Sequence, residues 1–181
     1  MKNKLFFSLV FAILFTLSSC SLGNFFTASN VSYDILVGNL DNLKVSQYYM
    51  IRDFESSKEL AITEKDPNQL YGIGVSENYN KFVTQALNLS LLFESLTNFS
   101  EDEGYILDYF TSVYKPLLNE YVEYCDMVYN KIITSTLSES DYENLMKEFD
   151  EKSEKFFYDH VDMVNIVLKH NWGIEIFKAN E

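Results

Sequence analysis

Cysteine, proline, glycine and arginine are all scarce in this chain, and each scarcity narrows what it can be. Two cysteines in 181 residues allow at most one disulfide, so bridges do not hold this fold together. Two prolines and six glycines leave little room for turns, which favours long helices. One arginine, Arg52, and 13 lysines face 27 acids, for a formal net charge of −13. Nucleic-acid phosphates demand a basic patch, and none is present. So acidic a surface also does not bind anionic headgroups directly. The C-x-x-C-H sequence that attaches haem covalently is absent, and no apolar run reaches the roughly 20 residues of a spanning helix.

What is present begins at the N-terminus. Lys2 and Lys4 precede an apolar run from Leu5 to Leu17, broken only by Ser8 and Thr16. A basic start followed by about a dozen apolar residues is the pattern of a secretory signal. Leu17-Ser18-Ser19-Cys20 follows. This quartet resembles the lipobox of bacterial lipoproteins, a resemblance confined to the first twenty-odd residues. It implies that Cys20 receives a diacylglyceryl group on its thiol and becomes the first residue of the mature protein. The implied organisation is a signal peptide over 1–19, a lipidated tether over 20–30 and a helical domain over 31–181. Two or three acyl chains, at roughly 0.8 kcal/mol per buried methylene, hold a protein stably to a membrane. The implied location is a bacterial cell envelope, with the outer membrane favoured in a Gram-negative cell because Ser21, not Asp, follows the cysteine. Residues 1–19 carry two basic residues and no acid, so their removal takes the charge from −13 to −15. Lipid on Cys20 leaves Cys125 alone.

Apolar periodicity predicts four helices. Leu36, Leu40, Leu43, Met50, Ile51, Phe54 and Ala61 recur at three- and four-residue steps, predicting a helix over 31–63. Residues 64–74, with Pro67, Gly72 and Gly74, read as a loop, and its Gln69–Gly74 portion is apolar and aromatic. A second helix is expected from Ser76 to near Phe99, apolar nearly all round. A third is expected over 105–135, kinked at Pro116, which lacks a backbone donor. The fourth begins at a cap among Ser138, Ser140 and Asp141 and runs to about Asn171, with Gly173 as its C-cap and the 174–181 tail left open. Short second and third connections favour antiparallel neighbours, so the expected fold is all-α, an up-down-up-down four-helix bundle.

Few residues carry chemistry. His160 sits in the apolar stripe of helix four, and pairing about the 136–138 turn sets it opposite Tyr114. The same register sets Cys125 opposite Phe149, about 16 Å from His160 at 1.5 Å per residue, too far for a nucleophile–base pair. It also puts Met50 near His160's level, and a Met/His pair across a bundle can ligate haem. Glu94 lies among Val83, Leu87, Ser90 and Leu91, where it is read as a rim residue paired with a lysine or solvent. Neither histidine has a Glu three residues before it, so the paired Glu-x-x-His motifs of di-iron bundles are missing. No metal or cofactor is expected. The expected function is membrane-anchored and non-enzymatic: binding a protein partner, or burying a small hydrophobic ligand between helices. The alternative is an enzyme or a metal or haem carrier, with His160, Met50, Glu94 and Tyr114 as the site residues.

Overall fold

The computed structural model describes residues 33–66, 72–96 and 104–172, all in the part of the chain after Asn30. The signal, the lipobox and the tether lie outside the described residues, as do most of the apolar loop, Gly173 and the tail. Every regular element among the described residues is helical: α1 (Tyr33–Glu55), α2 (Lys58–Ile62), α3 (Ile73–Ser95), α4 (Gly104–Tyr109), a π turn (Phe110–Tyr114), α5 (Lys115–Thr134) and α6 (Glu139–Trp172). The all-α class agrees with the sequence. The long helices contact one another in the pairs α1–α3, α3–α5, α5–α6 and α1–α6. Leu36, Leu40, Leu43, Met50 and Phe54 of α1 are fully buried, as are Phe82, Leu89 and Phe93 of α3. Each such side chain contributes roughly 1.5–3 kcal/mol.

The helix expected over 31–63 is two helices. Ser57 donates to the Phe54 carbonyl through both its amide (3.1 Å) and its hydroxyl (2.6 Å), and the Ser56 hydroxyl donates to the Arg52 carbonyl at 2.7 Å. Serine hydroxyls that compete for helix carbonyls favour ends over interiors. Tyr142 of α6 also donates to the carbonyls of Phe54 (2.7 Å) and Glu55 (3.1 Å), so a tertiary contact fixes the break. Beyond it, α2 is tied to the turn before α6 by the Leu137 amide, which donates to the Ala61 carbonyl at 2.9 Å. Ser138 caps α6: its hydroxyl accepts from the Asp141 amide at 3.1 Å and donates to the Asp141 carboxylate at 2.6 Å.

Just before Pro116 the third helical run widens into the π turn. The Lys115 amide reaches back five residues to the Phe110 carbonyl. Pro116 follows directly and has no amide to donate back into that turn. The buried positions Ile106, Phe110, Tyr114 and Leu118 explain the widening. They are spaced by four each time, and four α-helical residues overshoot a full turn by about 40°. The extra residue of the π turn returns these side chains to one line. After Leu118 the buried positions Tyr121, Cys125, Val128 and Ile132 alternate three and four, as an α-helix requires.

Candidate functional site

His160 points from the middle of α6 into the core and is 3 % exposed. Its Nδ1 lies 2.6 Å from the hydroxyl of Tyr114, a fully buried residue of the π turn. The backbone of Leu40 in α1 hydrogen-bonds the ring as well. A neutral imidazole has one N–H to give and one lone pair to accept with, and Tyr114 and the Leu40 backbone are the partners the fold offers it. Burial, reinforced by the nearby Lys44 charge, pulls the imidazole down to about 3, so it is neutral at any physiological pH. The counted pairing of Tyr114 with His160 therefore holds at the level of a hydrogen bond.

Met50 is not part of this cluster. It lies ten residues beyond Leu40 along α1, about 15 Å at the helical rise. The register expected from the sequence is wrong there, because α1 meets His160 through Leu40 and Lys44. Haem ligation does not fit these residues: the proposed axial pair is separated, and Tyr114 already occupies Nδ1. Glu94 is half-exposed and pairs with Lys115 across the α3–α5 boundary, the rim position expected of it. Among the described residues no group of three or more His, Cys, Asp or Glu is placed to hold a metal ion.

Lys44 was not singled out by its sequence. It follows Leu43 directly and is 8 % exposed. Its ammonium sits over the Phe157 ring, 3.0 Å from the centroid. Burial lowers it to about 7 against the opposing pull of the Asp41 carboxylate. Its burial comes from α6, and no signal local to α1 reveals it. A second buried polar layer lies one to two turns away. Gln47 donates to the Tyr121 hydroxyl at 3.2 Å, and Tyr121 and Ser153 share a 2.8 Å hydrogen bond. Cys125 is fully buried beside Tyr121, and burial raises its thiol well above the usual range.

A cleft of about 300 Å³ between α5 and α6 is floored by Leu117, Tyr121, Tyr124, Met127 and Phe156, with Lys152 and Glu120 on its rim. The Tyr124 hydroxyl is shielded from solvent without a partner at bonding geometry; burial and the nearby Glu148 carboxylate push it up to about 12. On α3, Leu87 and Leu91 are 58 % and 53 % exposed. No family model, curated protein or solved structure matches the chain. The chemistry therefore rests on the residues themselves. They form two closed polar layers whose groups bond to one another across the core.

Proposed function

We propose that this chain is an exported bacterial lipoprotein, held to the cell envelope by acyl groups on Cys20, whose helical domain is a non-enzymatic binding module. The observation that carries the reading is Leu17-Ser18-Ser19-Cys20 behind a basic, then apolar, N-terminus. The domain is read as an up-down-up-down four-helix bundle, which the four helix pairs and the Tyr114–His160 register support. The closed partnerships of His160 support a structural part for that residue, in preference to a ligating or catalytic one. The net charge of −15 after loss of residues 1–19 keeps the domain off an anionic leaflet and off nucleic acid. Its partners are accordingly protein surfaces, or a small hydrophobic ligand entering the α5–α6 cleft. The outer membrane is the favoured address in a Gram-negative cell.

The test is metabolic labelling. Full-length chain expressed in a bacterium fed labelled palmitate should carry label and sediment with membranes, and Cys20→Ala should do neither. Label and membrane retention that survive in Cys20→Ala would falsify the anchor.

A further inference from the structure

The middle of α3 presents an outward face without charge in a strongly acidic molecule. Residues 82–93 contain no Asp, Glu, Lys or Arg, a stretch about 18 Å long. Thr84, Leu87, Asn88 and Leu91 are its exposed positions. Leu87 and Leu91, one turn apart, are both more than half open to water. Charge resumes at both ends and is balanced there: Lys81 pairs with Glu77 at 2.8 Å, and Glu94 pairs with Lys115.

We propose that this strip is where a second copy of the chain docks, α3 against α3, antiparallel about a two-fold axis between Leu87 and Asn88. Charge selects the occupant. Two domains of net charge near −15 repel over most of their surfaces, and they approach at least cost through a face that carries none. Antiparallel pairing brings Lys81 of one copy level with Glu94 of the other. Each end of the contact then gathers Glu77 and Lys81 from one copy with Glu94 and Lys115 from the other, two charges of each sign. Leu87 faces Asn88 of the second copy, and Thr84 faces Leu91, so the strip is complementary to itself, as an isologous contact requires. A lipid surface is a poorer occupant, because the strip offers no lysine or arginine to anionic headgroups. The strip is small for a dimer formed in free solution. The inference therefore rests on the lipid anchor of the proposed function: confinement to a membrane raises the effective concentration of one copy around another.

Site-directed cross-linking in native membranes tests it. Cys125 is buried and Cys20 is lipid-blocked on this reading, so an introduced cysteine reports alone. Asn88→Cys in the full-length chain, briefly oxidised, should yield a disulfide-linked species of twice the monomer mass. Lys147→Cys, exposed on α6, should yield at least several-fold less. Adding Leu91→Glu to Asn88→Cys should abolish the dimer, with helix content by circular dichroism unchanged. Equal cross-linking at 88 and 147, a dimer that survives Leu91→Glu, no dimer at all, or a cross-link to a different protein would each overturn the proposal. Fractionation before oxidation keeps the two readings apart. Chain recovered as soluble protein overturns the anchor. The same variants on a Cys20→Ser background, at a concentration that replaces membrane confinement, then decide the strip: the Asn88→Cys disulfide supports it and its absence overturns it.

Discussion

A histidine in water takes up its second proton near pH 6.5, whereas His160 is held down to about 3 by burial. Between those values the unfolded chain binds the proton and the folded chain does not. The His160 contribution to stability should therefore be level above about pH 6.5 and fall as pH drops toward 3. Asp41, Asp159 and Asp162, raised by burial, act in the opposite sense at low pH. The informative measurement is thus the urea midpoint at pH 7, 5 and 4 for the wild type against His160→Gln, which should show the shallower decline. Lys44 has its window higher, from about 7 folded to 10.5 unfolded. Below pH 7 its buried charge is a full cost, relieved as pH rises through the window. Lys44→Met should stabilise at pH 6, by an amount on the order of a few kcal/mol, and the gain should shrink by pH 10. A gain of equal size at both pH values would show that Lys44 is not charged and buried as described. Cys125 should resist a thiol reagent in the native state and react quickly in denaturant. Cys125→Ala should cost about 1 kcal/mol or more through the small cavity. Cys125→Ser should cost more unless its hydroxyl finds a partner.

The breaks between helices are specified by side chains from elsewhere in the fold, and this bounds what a sequence can reveal about them. Tyr142→Phe removes the hydroxyl that donates to the Phe54 and Glu55 carbonyls. It should cost roughly 1–2 kcal/mol and loosen the α1–α2 junction, seen as faster amide exchange at Ser56 and Ser57. Gly72 caps α3 at φ 72°, and a Cβ there would come within 2.6 Å of the Ile133 side chain. Gly72→Ala should therefore lower the melting temperature through αL strain of about 1 kcal/mol or more, with the contact added to it. The helical class, an α6 cap among Ser138, Ser140 and Asp141 and the Tyr114–His160 pair were all legible from periodicity and from counting around the 136–138 turn. That turn is short, so the register it sets carries forward with little error. The register of α1 was not legible, because no short turn ties α1 to α6, and Met50 was misplaced as a result. The serine break has a related reason: the apolar stripe skips from Phe54 to Ala61 just as it skips from Leu43 to Met50 inside α1, and the Tyr142 that fixes the break is 85 or more positions away in sequence. The π turn did leave a trace, the repeated four-residue spacing from Ile106 to Leu118, which a search for alternating threes and fours passes over.

For the molecule as a whole, acid is in excess by 13 charges. The exposed ion pairs, such as Lys58 with Glu139 and Glu143 at 3.3 Å each, do little to offset it. Self-repulsion of this size destabilises the compact state and is screened by salt, with a Debye length falling from about 30 Å at 0.01 M to about 8 Å at 0.15 M. The melting temperature at neutral pH should rise by several degrees as sodium chloride increases over that range. A flat or falling melting temperature would mean that local ion pairs outweigh the global repulsion.

The π turn also bears on ancestry. One surplus residue in a helix is what a single-codon insertion leaves behind when the flanking sequences keep their old phase. α4 and α5 each present their own buried side chains correctly, and the mismatch is confined to five positions between them, where Thr111, Ser112 and Val113 are exposed. Deleting Ser112 would close the surplus and turn Ile106 and Phe110 about 100° away from the core, relative to α5. A relative that lacks this residue should therefore carry its apolar positions before Pro116 shifted by one.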